Sequence, residues 1–229
     1  MARHFSPDVF AFLRDLAANN DRTWFQENKQ RYEASVRQPA LDFITDFVEP
    51  LSTLSPHFVA DSRTVGGSLF RLHRDTRFSK DKTPYKVNTG MHFRHERARD
   101  AHAPGYYVHL EPRNCFIGAG LWTPEPKVAQ QIRLHIAAHP DEWTQATRRA
   151  PFIEHFSLGG DQLKRPPRGI DVDPADPLMD DLRRTSFIAT SPLTQRTVVS
   201  RDFAEVLRSR FDLTGPMMAL LCDAVGVPF

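Results

Sequence analysis

The spacing of apolar positions divides the chain into helical and alternating stretches. Behind Ser6, Pro7 and Asp8, a cap, a first-turn proline and a first-turn acid, Val9, Phe10, Leu13, Leu16 and Ala17 form one stripe. Asp21 can cap a second helix with Trp24, Phe25, Asn28, Tyr32 and Val36 at helical spacing, and Pro39 starts a third through Leu41, Ile44, Val48 and Leu51. The period then changes to two. Residues 59–65 and 68–74 read as strands joined by Gly66-Gly67, and residues 87–95 alternate again, with Asn88, Gly90, His92 and Arg94 on one face. "YYVHLEPRNCFIGAGLW" reads as a hairpin turning at "EPRN". A helix over 124–138, a second restarted by Pro140, a proline-dense loop "LKRPPRGID", short elements and two helices near 201–211 and 216–224 complete the chain. Helices, then strands, then helices predict an α+β fold: about five mostly antiparallel strands with N-terminal and C-terminal helices packed on them. Residues 1–229 read as one domain, with 165–177 a loop within it.

Composition adds little until charge is mapped. The 229 residues suffice for a sizeable core, and seventeen Phe can anchor it. Net charge is +2, too small to mark a general nucleic-acid binder, but "RLHRDTRFSKDKTPYK" (71–86) alone carries +4, leaving −2 for the rest. Two cysteines are too few for a disulfide-stapled secreted fold. With no apolar run of signal-peptide or membrane-span length, the expectation is a soluble cytoplasmic protein without a membrane partner.

Within the basic segment the alternation sets Arg71 and His73 on one strand face, opposite Phe70 and Leu72, and breaks after Asp75. Arg74 ends the strand, and the following loop carries Arg77, Lys80, Lys82 and Lys86 around Ser, Asp and Thr-Pro. Cations converging from a strand end and its loop suit an anion, Arg offering planar paired donors and Lys a point charge. Asp75 and Asp81 offer the competing account, internal pairing of solvated charges.

"GGSLFRLHRDTRFSKDKTPYK" resembles the signature of the domain of unknown function family 2461, found in bacteria and fungi. "FLRDLAANNDRTWFQENKQRY", "PGYYVHLEP" with "GAGLWTPEP", and "LKRPPRGID" followed by "LRRTSF" resemble its other blocks, so the likeness covers nearly the whole chain. The resemblance implies that the basic motif is a family feature. It implies no activity, because the family's biochemical role is unassigned.

Further candidates lie outside the motif. Tyr107, His109 and Glu111 share one face of their strand, and His109 with Glu111 can act as a general acid/base pair or contact a ligand; a buried hydrogen-bonded pair or a plain solvent face is the alternative. Lys164, Arg165 and Arg168 can close over an anion or form an ordinary basic loop. No metal is expected: His92 and His95 face opposite ways on a strand, and HExxH and CxxC spacings are absent. No cofactor is expected, since neither a P-loop nor a dinucleotide fingerprint occurs. Cys115 reads as a buried thiol.

The leading expectation is an anion-binding domain, with or without catalysis on a phosphorylated or carboxylated small molecule. Arg71, His73 and Arg77 are expected to share one cleft with His109 and Glu111. Nucleic-acid binding through the same cations is the alternative, and a non-catalytic domain docking an acidic partner the third.

Overall fold

The computed structural model describes residues 3–97 and 103–229. α1 (Asp8–Ala18) buries Val9, Phe10, Phe12, Leu13 and Leu16, so Phe12 takes the place expected for Ala17, which is exposed. α2 (Arg22–Glu27) is capped by the Asp21 carboxylate, which accepts from the Trp24 N–H at 2.9 Å. α3 (Lys29–Tyr32), a π turn (Glu33–Arg37), α4 (Gln38–Asp46) and α5 (Val48–Ser52) follow almost without a break. Pro39 therefore does not start a new helix as expected. A proline removes one N–H and crowds the carbonyl four residues back, and the wider turn just before it lets the helical path continue.

The sheet has six antiparallel strands: β1 (Phe58–Val59), β2 (Thr89–His95), β3 (Gly105–Leu110), β4 (Cys115–Leu121), β5 (Ser157–Gly159) and β6 (Phe187–Leu193), in the order β1-β2-β3-β4-β6-β5. Two expected strands shrink. Residues 59–65 give only the end of β1, because Asp61 turns back onto Arg63 and Gly66 takes φ 76°. Residues 68–74 follow β2 and the segment leading into it through isolated bridges, Leu69 opposite Met91 of β2 and His73 opposite Tyr85 ahead of it.

Every long strand buries one face. Met91 and Phe93, Tyr106 and Val108, Ile117 and Leu121, and Phe187 and Ala189 all lie within one cluster of buried side chains that runs from Phe5 to Cys222. Phe47, between α4 and α5, packs on Phe93 at 5.2 Å between ring centroids, and Phe211 of the C-terminal helix Phe203–Asp212 meets Tyr106 at 4.7 Å. Each such buried ring contributes about 1.5–3 kcal/mol relative to exposure. Both helical layers, N-terminal and C-terminal, thus cover the same sheet face.

The layers are tied at one further point. The Asn20 side chain donates from Nδ2 to the Tyr85 carbonyl at 3.0 Å and accepts from the Tyr85 N–H at 3.1 Å. One carboxamide thereby imitates a strand neighbour and fixes the segment that leads into Lys86.

Candidate functional site

The opposite sheet face is not covered by the helices that cover the first, and strand register decides what it presents. Gly90, His109, Phe116 and Pro192 form one row across β2, β3, β4 and β6; His92, Tyr107, Gly118 and Thr190 the next; Arg94, Gly105, Gly120 and Ile188 the third. Gly118 leaves a hollow between the ring side chains of β2 and β3 and the side chains of β6. Phe70 from the edge segment and Trp122 beyond β4 add walls, giving a groove of about 400 Å³.

Two glycines make room for functional side chains. A Cβ on Gly90 would lie 2.6 Å from the Tyr107 hydroxyl, and one on Gly105 would lie 2.3 Å from His92 Nε2. Gly118 is different, since an added Cβ would meet nothing nearer than 3.6 Å. Its missing side chain is open space above the floor.

Along the groove wall runs a chain of hydrogen bonds. Tyr107 Oη lies 3.0 Å from His109 Nδ1, and His109 Nε2 lies 3.1 Å from Glu111 Oε2, which also accepts from Asn114 Nδ2 at 2.7 Å. A carboxylate can only accept, so His109 donates from Nε2, and its Nδ1 lone pair receives the Tyr107 hydroxyl proton. Strand geometry explains the alignment: positions 107, 109 and 111 project to one side, and the turn at 111–114 brings Asn114 back beneath Glu111. The Phe116 ring stacks on His109 at 4.6 Å. Burial, and secondarily the Glu111 charge, push the Tyr107 phenol up to about 12. His92 is 7 % exposed, and its Nδ1 has no hydrogen-bond partner. Burial first and Arg94 second push its imidazole down to about 4, so it is neutral at pH 7.

The basic segment divides around this groove. Lys86 Nζ sits 5.4 Å above the Phe70 ring, and its ammonium is destabilised by burial and then by Arg71. His73, Arg74 and Lys82 instead line a second hollow of about 490 Å³ with Asn20, Arg22 and Thr83. Arg74 is bound there by Asp81 and Thr83, Lys82 donates to the Thr76 carbonyl at 2.8 Å, and the Arg74 guanidinium holds Asp81 down to about 2. Arg77 grips Asp75 at 2.7 Å and holds that carboxyl well below its usual range. Lys80 is exposed, as are Lys164, Arg165 and Arg168 on their own loop, where the Arg168 carbonyl is fixed by Gln130.

The single cleft expected for Arg71, His73 and Arg77 with His109 and Glu111 is therefore split. His109 lines the groove, His73 lines the second hollow, and Arg77 lines neither. The assumed alternation of 70–73 also fails: Phe70 opens to the groove, whereas Leu72 is buried in the core, because pairing with β2 is broken between the two bridges. His92, Phe116, Gly118 and Trp122 are groove residues that sequence reasoning did not select. The signal for them was present in glycines interrupting strands otherwise rich in rings. His92 and His95 do face opposite ways, His95 Nε2 meeting the Pro228 carbonyl at 2.8 Å on the core side. Cys115 is buried, and burial raises its thiol. Among the described residues no group of three or more His, Cys, Asp or Glu is placed to hold a metal ion, and no helix is long and apolar enough to cross a membrane.

A family model described as "Conserved hypothetical protein (DUF2461)" matches residues 8–219. No curated protein matches the chain.

Proposed function

We propose that this chain, which belongs to the DUF2461 family of conserved hypothetical proteins, binds an anionic small molecule in the groove and moves a proton on it. The observation that carries the reading is the Tyr107–His109–Glu111 chain, whose phenol end opens on the groove. A ligand proton passes to Tyr107 Oη as the phenol's own proton passes to His109 Nδ1. The imidazolium so formed is held by the Glu111 carboxylate, and the reverse movement returns the proton. With a phenol pushed up to about 12, such paired transfer avoids a free phenolate.

Arg71 and Lys86 supply the charge at the groove's edge. An anion seated there relieves both causes that destabilise the Lys86 ammonium, the loss of water and the nearby Arg71. His73, Arg74 and Lys82 offer a second anion contact in the adjoining hollow, but Arg74 and Lys82 already have internal partners. The single cluster of buried side chains supports treating residues 1–229 as one α+β domain.

The test is a thermal-shift screen with carboxylated and phosphorylated small molecules, followed by turnover assays on the hits. Tyr107→Phe and His109→Gln are expected to cut turnover by about 10²–10⁴-fold while binding persists. Hits that ignore Lys86→Ala and Arg71→Ala together would sink the reading.

One observation favours nucleic acid as a second reading. Phe78 is 94 % exposed, the Arg77 guanidinium lies 5.7 Å from its ring centroid, and Lys80 and Lys82 share the loop. Rings with interleaved cations hold single strands by stacking and charge. That mode predicts a steep fall of affinity with salt, about 0.7 in log K per log salt for each phosphate contacted on a single strand.

A further inference from the structure

We infer that the groove's ligand is a flat aromatic or heteroaromatic ring carrying one anionic arm, with His92 meeting the edge of the ring; this rests on the groove being the ligand site proposed above. The floor comes first. Gly118 stands between Tyr107 and Thr190, and a Cβ there would meet nothing nearer than 3.6 Å, so the floor is open at that position, while the place above Gly105 in the next row is taken by the His92 imidazole, 2.3 Å from where a Cβ would lie. One open position on the floor, walled by the Tyr107 ring and by His92, leaves a shallow slot, which a flat body fills and a puckered one does not.

The walls agree. Phe70 and Tyr107 lie 5.9 Å apart between ring centroids, and the stacked pair of Phe116 and His109 continues the same wall. None of the described residues lining the groove is a carboxylate, lysine or arginine. A sugar or polyol would leave most of its hydroxyls facing rings and glycines, without hydrogen-bond partners. About 400 Å³ suits a body of one or two fused rings.

The polar features then orient it. His92 lines the groove and is more than nine-tenths buried, and its Nδ1 has no partner in the protein. Being neutral at pH 7, the imidazole can donate from one nitrogen or accept at the other, which suits a ring nitrogen or ring N–H. Lys86, over Phe70, places positive charge at the edge segment and not on the floor. A ring lying on the glycine floor therefore points its anionic arm toward Phe70 and Lys86.

The experiment uses the full chain and three probes of equal charge: quinoline-2-carboxylate, naphthalene-2-carboxylate and decalin-2-carboxylate, titrated calorimetrically. Quinoline-2-carboxylate is expected to bind at least about tenfold more tightly than the puckered decalin acid, a difference of about 1.4 kcal/mol. Gly118→Val, which fills the floor, is expected to remove that advantage, and Gly118→Ala to reduce it. His92→Phe keeps a ring but is expected to abolish the preference for quinoline over naphthalene. Equal binding of flat and puckered acids, or affinity untouched by both Gly118 variants, overturns the inference. If inorganic phosphate binds in a Lys86-dependent way while none of the three acids does, the ring inference falls and the anion site stands. If neither the acids nor phosphate binds, both fall.

Discussion

Acidification from pH 7.5 to pH 5 should destabilise this protein through His92. The imidazole's ordinary value is 6.5, and burial with the Arg94 charge brings it down to about 4 in the folded state. A depressed histidine is held neutral by the fold, while the unfolded chain takes up the proton freely. Stability is therefore complete above about pH 6.5, falls as pH drops toward 4, and levels off below. With both values in the linkage relation, the loss is about 2 kcal/mol at pH 5, out of a limit near 3 kcal/mol. The Tyr107 phenol beside the ring does not titrate in that window, being pushed up to about 12. Urea unfolding at the two pH values, on wild type and His92→Gln, isolates the contribution, because titrations elsewhere are common to both chains. Wild type should lose about 2 kcal/mol more than the variant across the interval. Identical pH slopes, within about 0.5 kcal/mol, would refute the reasoning and mean that the imidazole finds water or an acceptor when protonated.

Other outcomes follow from the same geometry. Asp181 is 1 % exposed and accepts from Trp143 Nε1 at 2.9 Å, with Arg148 and Arg184 on the same carboxylate, so Asp181→Ala should cost about 3–5 kcal/mol in urea unfolding. Gly120 has φ 127°, and a Cβ there would lie 2.0 Å from the Phe187 carbonyl oxygen; Gly120→Ala should cost about 3 kcal/mol or more. Gly118→Ala, on the same strand, should stay within about 1 kcal/mol, and equal melting temperatures for the two variants would contradict this account. Nitrogen NMR at pH 7.5 should find His109 protonated at Nε2, with the Nδ1 shift moving in Tyr107→Phe; an unchanged Nδ1 signal would break the proposed proton path.

Local patterns carried much of the fold. The helices α1 and α4 and the period of two through β2, β3 and β4 appear where residue spacing put them, with Ala17 and Val48 of the expected stripes exposed, because each depends only on neighbouring residues. β6 escaped notice for a physical reason: Ala189 and Ser191 weaken its buried face, and Pro192 stands opposite Phe116, where a proline discourages a strand reading. Pairing of His109 with Glu111 was legible from their spacing. The groove was not, since it depends on which residue of β4 falls opposite Tyr107 and which opposite Gly105. Those pairings are set by register among three strands, and no single window of sequence contains them.

The Asn20 clasp on Tyr85 gives the molecule a line of force. Sixty-five residues of chain separate the two partners, yet two hydrogen bonds join them. Lys86 is the next residue along, its ammonium over Phe70 and its N–H on the Leu72 carbonyl at 2.8 Å. An anion that draws Lys86 inward pulls through one peptide bond on Tyr85, and through Asn20 on the corner between α1 and α2. Tension at the groove's edge is thus delivered to the far layer through Tyr85, whose ring also packs on Phe25 at 4.3 Å, and the Tyr85 amide proton is its gauge. Its exchange should slow on ligand binding in wild type, and should quicken and lose that response in Asn20→Ala.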